Sequence, residues 1–145
     1  MRKPRVFIDS SVMIAALLSP RGGSYYILTQ SDRHISFQIN EYVFEELRRV
    51  LETKFMDRQN VSSALFLLLG LAGVSTEQNP RRREVHRAER LISANDAPIL
   101  ASALAGSDYL VTLDNEFFNP NVVAAAKEKG LTILKPGDLI RLLNI

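Results

Sequence analysis

Apolar residues fall along the chain in short blocks of two kinds. Val6, Phe7 and Ile8 form an unbroken apolar run bounded by Pro4 and Asp9, the pattern of a buried strand. Similar runs predict strands over residues 34–37, 109–112 and 131–134, and Val74-Ser75 predicts a shorter one. Between the strands the period changes to that of helices. Residues 12–18 read as an apolar helix stopped near Ser19-Pro20, and Arg21-Gly22-Gly23-Ser24 as a turn whose Ser24 caps a helix over 25–31. Asn40 caps a long helix running to about residue 54, in which Val43, Leu47, Val50 and Leu51 repeat at i, i+4, i+7 and i+8. Further helices are expected from Asn60 or Ser62 to the glycines at 70–73, over 97–104, and over 122–129, the last closed by Gly130. A terminal helical turn or two covers 138–143.

Short apolar strands alternating with helices predict an α/β fold: a central parallel sheet covered by helices on both faces, in one domain over residues 1–145. Ligands of such sheets bind beyond the carboxyl ends of the strands, where strand order reverses. Asp9 directly follows the first strand, and Asp114 follows the strand over 109–112 by two residues. Topology alone therefore puts both carboxylates on one edge.

Composition adds little and excludes some classes. A chain of 145 residues with 46% hydrophobic and 23% charged residues is ordinary for a globular domain with a full core. There are no cysteines, which removes disulfide frameworks and thiolate metal sites and agrees with a reducing compartment. No apolar run reaches the roughly 18 residues of a membrane span. The stretch after the basic residues Arg2, Lys3 and Arg5 carries Asp9 and is too short for a signal peptide. The expected location is the cytoplasm, with no membrane association. A net charge of +2 does not mark a nucleic-acid binder unless the charge gathers on one face.

Two further acids belong with Asp9 and Asp114. Asp96 opens the apolar helix over 97–104, where unpaired N–H groups and the helix dipole favour a carboxylate. Glu46, three residues after Val43 and four before Val50, borders the buried face of its helix and can reach the sheet edge. Glu45 lies about 200° from Val43 and faces solvent. Each acid has a plainer reading. Asp96 alone is a helix cap, Asp114 alone a turn residue, and Glu46 a boundary residue paired with Arg48 or Arg49. Asp9 is hardest to explain that way, because burying a carboxylate without a partner is costly. If the four converge, their repulsion raises some of their pKa values, and a hard divalent cation relieves it. Oxygen ligands without thiolate or imidazole suit Mg²⁺ or Mn²⁺ over Zn²⁺.

Four segments in order then carry a resemblance: VFIDSSVMIAALL, NEYVFEELRRVL, NDAPILASALAGSDYLVTLDNEFF and ILKPGDLIRLL. With them the chain resembles the PIN-domain proteins, metal-dependent ribonucleases that include the VapC-type toxins. The third segment, with Asp96, an Ala-rich helix and Thr-Leu-Asp114, is the most specific; residues 55–92 carry little signal. The resemblance implies a parallel sheet of about five strands. It implies that Asp9, Glu46, Asp96 and Asp114 form an acidic catalytic and metal site, with Asp9 and Asp96 as direct ligands, Asp114 next and Glu46 acting through water. Ser11 and Thr112 match supporting hydroxyl positions, and Glu116 an auxiliary acid, against the plain reading of Glu116 as a solvated loop residue. The implied activity is Mg²⁺- or Mn²⁺-dependent hydrolysis of RNA phosphodiester bonds, the ion activating water and stabilising charge on the phosphoryl group. The implied role is the toxin of a toxin–antitoxin pair, with RNA as substrate and an antitoxin protein as partner. A homodimer also follows from the resemblance, to which the apolar helix over 64–71 could contribute beside its simpler role in the core.

Arg81, Arg82, Arg83, Arg87 and Arg90 are the densest basic cluster, read either as an RNA-binding edge leading to Asp96 or as a solvated face paired with Glu84 and Glu89. Arg48 and Arg49 read as a solvated helix face. Tyr25 and Tyr26 offer rings for base stacking, with core packing expected for at least one, and His34 and His86 are assigned no role. A response-regulator receiver domain and a haloacid-dehalogenase-type phosphatase are set aside, because Ser10 and Ser11 stand where their additional acids would be. Two readings compete with the toxin: an RNA- or protein-binding module with weak or suppressed nuclease activity, and a stand-alone RNA-processing nuclease.

Overall fold

The structure, a computed structural model, describes residues 2–31, 35–54 and 58–145. Five strands form one all-parallel sheet: β1 Arg5–Ile8, β2 Ser36–Ile39, β3 Ser75–Thr76, β4 Tyr109–Val111 and β5 Thr132–Leu134. Their order is β3-β2-β1-β4-β5, so the chain reverses direction across the sheet at the β1–β4 boundary. The helices are α1 Ser10–Leu18, α2 Gly23–Leu28, α3 Glu41–Lys54, α4 Arg58–Ala72, α5 Arg82–Ala88, α6 Ala97–Gly106, α7 Pro120–Glu128 and α8 Pro136–Leu143. A 3₁₀ turn, Asn115–Phe118, follows β4.

The unbroken apolar run of β1 has a direct cause. Val6, Phe7 and Ile8 point alternately to the two faces of the sheet, and all three are fully buried, so helices cover both faces. On α3 the stripe Val43, Leu47 and Leu51 is buried, and Asn40 caps the helix by accepting from the Val43 amide at 3.0 Å. The Asn40 amide group also donates to the Pro98 carbonyl at 3.2 Å and to Ser102 Oγ at 2.7 Å, which ties the start of α3 to α6. Gly130, at φ +84°, ends α7: the Leu131 amide reaches back to the Ala126 carbonyl and that of Gly130 to Lys127, a closure that needs the left-handed conformation glycine adopts freely.

Some boundaries differ from those read in the sequence. α1 begins two residues earlier than expected, because Asp9 sits in an extended N-cap position and accepts from the Ser10 amide. Ser24 does not cap α2: the helix starts at Gly23 behind Gly22, the Tyr26 amide already bonds the Gly22 carbonyl, and Ser24 is buried in the first turn. β2 lies two residues further along than predicted, and His34 falls outside the described residues. α5, the 3₁₀ turn and the early start of α4 at Arg58 were not legible from apolar period. No helix among the described residues is long and apolar enough to cross a membrane.

Candidate active site

The site is built where β1 and β4 end side by side. Ile8 is in register with Val111, and the Asp9 amide donates to the Val111 carbonyl at 3.1 Å, so Asp9 and Thr112 leave the sheet abreast. Asp9 is 4% exposed. Its Oδ1 accepts from the Ser10 amide at 2.9 Å, and its Oδ2 accepts from Ser11 Oγ at 2.9 Å and Thr112 Oγ1 at 2.7 Å. The same hydroxyls accept from the backbone that carries the next acid: the Leu113 amide donates to Ser11 Oγ and the Asp114 amide to Thr112 Oγ1, each at 3.0 Å. Ser11 and Thr112 thus lock the loop after β4 onto Asp9. Burial pushes the Asp9 carboxyl up from its ordinary value, and the hydrogen bonds from Thr112, Ser11 and Ser10 counter it.

Asp96 occupies the N-cap position of α6, yet its side chain makes no capping hydrogen bond. It turns instead toward Asp114 and Glu116. One carboxylate oxygen from each of Asp96, Asp114 and Glu116 lies within 4.8 Å of the other two. Asp114 Oδ1 accepts from the Glu116 amide, and Glu116 Oε1 from the Ser93 amide, each at 3.0 Å. So Asp114 is both a turn residue and part of the cluster. Partial burial, then the neighbouring Glu116 and Asp114 carboxylates, push Asp96 up to about 8. Glu116 is held below its ordinary value, chiefly by the Asp96 carboxyl beside it and then by Ser93. The pair behaves as two carboxylates sharing a proton.

Glu46 faces this cluster from α3. Two adjoining clefts of about 630 and 430 Å³ meet at the acids: Glu46, Asp96 and Asp114 line both, and Asp9 lines the smaller. All four acids therefore converge. Asp9 and Glu46 stand outside the tight trio, which includes Glu116; the oxygens of Asp9 are occupied by Ser10, Ser11 and Thr112. Among the described residues no ion pair reaches Asp9, Glu46, Asp96 or Asp114. Arg48 does not pair with Glu46 but with Glu45 at 2.8 Å and Glu52 at 2.9 Å. Glu45 is exposed, held low by Arg48, and reaches the rim of the larger cleft after all, because the cleft opens wider than the buried stripe of α3.

The other candidates are dispersed. Arg81, Arg82, Arg83, Arg87 and Arg90 are exposed, line neither acidic cleft, and make no ion pair with Glu84 or Glu89; Glu89 instead meets His86 at 3.6 Å. Tyr25 packs against the core and Tyr26 is exposed. On α4, Leu65 and Leu68 are buried while Phe66, Leu67 and Leu71 are exposed. Tyr42, which the sequence did not single out, and Arg49, read there as part of a solvated helix face, line the larger cleft. Their spacing from Glu46 on α3, at i−4 and i+3, was the available signal.

A family model described as a PIN domain matches residues 5–116. The chain belongs to the PIN-domain family. PIN domains are in general nucleases, and this one carries the acidic cluster. Solved structures share the fold at low identity. VapBC2 from Rickettsia felis, bound to a DNA fragment from its promoter, superposes with a TM-score of 0.70 at 17% identity, over 90% of this chain and 98% of that one. PAE2754 from Pyrobaculum aerophilum gives 0.67 at 18%, over 97% and 96%. FitAcB from Neisseria gonorrhoeae gives 0.62 at 20%, over 91% and 98%. No curated protein matches the chain.

Proposed function

We propose that this PIN domain is a Mg²⁺- or Mn²⁺-dependent endoribonuclease acting at Asp9, Glu46, Asp96 and Asp114, and that it is the toxin of a toxin–antitoxin pair. One observation carries the nuclease reading: carboxylates gather at the β1–β4 crevice, and among the described residues no ion pair reaches Asp9, Glu46, Asp96 or Asp114. The donor set fits a hard divalent ion, being all oxygen with no thiolate or imidazole. Asp96, Asp114 and Glu116 would hold it, with Asp9 behind them and Glu46 across the cleft. A divalent ion there supplies an acidified water and charge stabilisation for a phosphoryl group. The chain's own residues do the rest. Ser11 and Thr112 keep Asp9 oriented, the Glu116 amide and the Thr112 hydroxyl fix the two ends of Asp114, and Ser93 positions Glu116. The raised pKa of Asp96 means that it carries a proton at neutral pH until a cation displaces it.

The toxin role is supported by the fold likeness to VapBC2 and FitAcB. An antitoxin partner and a homodimer belong to that proposal, as does phosphate binding by Arg81, Arg82, Arg83 and Arg87 at the edge leading to Asp96. A gene for a small antitoxin immediately upstream would support the pair; its absence would favour a stand-alone RNA-processing nuclease. The deciding experiment is incubation of a mixed RNA pool with Mg²⁺, Mn²⁺ or EDTA, for wild type and Asp96→Asn. Metal-dependent cutting that the variant loses is expected. Cutting that survives both EDTA and the substitution would place the chemistry elsewhere. No cutting, with no heat of metal binding in calorimetry, would leave a PIN-fold binding module.

A further inference from the structure

The larger cleft has a wall that the acidic chemistry does not use. Tyr42, Glu46 and Arg49 stand at i, i+4 and i+7 on α3, so Tyr42 and Arg49 flank Glu46 along one face, about 10 Å apart along the helix axis. Among the described residues lining this cleft, Tyr42 is the one aromatic and Arg49 the one cation. Tyr42 is 46% exposed, although it lines a cleft rather than open surface. Arg48 and Arg49 are adjacent and alike in charge, yet their states differ. Arg48 is bound by Glu45 and Glu52, whereas Arg49 makes no ion pair among the described residues. That same pairing neutralises Glu45 at the cleft rim, and it leaves the Arg49 fork free for a ligand.

A bare aromatic face and an unpaired guanidinium on either side of a phosphodiester-cleaving centre match the two things a single strand offers, an unstacked base and a flanking phosphate. We propose that Tyr42 and Arg49 form the substrate wall of the site. Tyr42 stacks on an unpaired base, and Arg49 holds a backbone phosphate. A duplex offers Arg49 a phosphate but cannot use Tyr42, because its bases are already stacked on each other. The cleft, at about 630 Å³, is of the size that encloses a small ligand or a few nucleotides. The inference rests on the nuclease reading for its cleavage arm, while its binding arm does not.

The test uses a fluorescein-labelled RNA of mixed sequence, alone or annealed to its complement, with wild type, Tyr42→Phe, Tyr42→Ala and Arg49→Gln. Cleavage is followed in Mn²⁺, and binding by anisotropy in an Asp96→Asn background. Tyr42→Ala is expected to raise KM and Kd for the single strand roughly ten- to hundredfold with kcat within about twofold, and Tyr42→Phe to restore wild-type values. Arg49→Gln is expected to weaken binding and to lower the slope of log K against log salt by about 0.7. Wild-type KM and Kd in Tyr42→Ala, or equal cutting of the duplex, would overturn the proposal. If no protein cuts, the nuclease reading fails and the anisotropy alone decides: weakening by Tyr42→Ala upholds the wall, and unchanged or absent binding overturns it.

Discussion

Thr112→Val would probe the hydroxyl that holds Asp9. Thr112 is fully buried, and valine matches its shape, so the substitution removes the hydroxyl's two short hydrogen bonds, and its longer 3.4 Å contact with Ser11 Oγ, with little change in packing. One is the 2.7 Å donation to Asp9, a bond to a charged group worth about 1.5–3 kcal/mol. The other is the acceptance from the Asp114 amide, about 1 kcal/mol. The expected loss is therefore about 2.5–4 kcal/mol. With a melting entropy on the order of 0.3 kcal/mol/K for 145 residues, Tm should fall by roughly 8–13 °C. Thr112→Ser keeps the hydroxyl and deletes one methyl, for about 1 kcal/mol. Burial holds the folded pKa of Asp9 above its unfolded value. Its contribution to stability is then fully present below the unfolded pKa and is lost as pH rises through the folded one. Removing the Thr112 donor raises the folded pKa further and deepens that loss. Calorimetric melts in EDTA should show the gap between wild type and Thr112→Val widening as pH rises above the unfolded carboxylate pKa. A loss no larger than that of Thr112→Ser, or a gap that ignores pH, would refute the claim that Thr112 stabilises a charged Asp9.

Three further outcomes are expected. Because Asp96 is pushed up to about 8, Mn²⁺ binding at pH 7 should release close to one proton, read from titration calorimetry in buffers of different ionisation enthalpy; zero release would show that Asp96 is already ionised. Glu46→Gln should weaken Mn²⁺ binding tenfold or more, whereas Glu45→Gln, which removes only the exposed pair with Arg48, should leave both metal binding and Tm unchanged. Asn40→Ala removes a buried cap and the tie to α6, and should cost about 2–4 kcal/mol in urea unfolding; a cost under about 1 kcal/mol would show that the tie is dispensable.

Much of the fold is local in origin and was therefore legible in the sequence. The apolar run at Val6–Phe7–Ile8, the stripe of α3, the Asn40 cap and the Gly130 terminator each express a preference of a few neighbouring residues, and the parallel α/β sheet follows from their alternation. Helix ends were less legible. Ser24 has the chemistry of a cap, but Gly22 takes the position because α2 begins two residues sooner. The acids could be nominated from sequence, Asp9 and Asp114 by the strand ends they follow and Glu46 over Glu45 by helical angle.

What those acids do together was decided only by tertiary structure. Asp96 satisfies every local rule for a helix cap, and its side chain nonetheless leaves the helix for Asp114 and Glu116. Glu116 enters the tight trio, and Asp9 is set behind it, because Ser11 and Thr112 from two different strand ends claim the oxygens of Asp9. Arg48 and Arg49 are indistinguishable in sequence; pairing with Glu45 and Glu52 occupies one and leaves the other facing the cleft. The physical reason is common to all three. Propensity, capping and the pairing of Arg48 with Glu45 and Glu52 are energies of neighbours along the chain, whereas the charge state of Asp96 and the cleft that Arg49 faces are set by groups tens of residues away, brought near only when the strands close in the order β3-β2-β1-β4-β5.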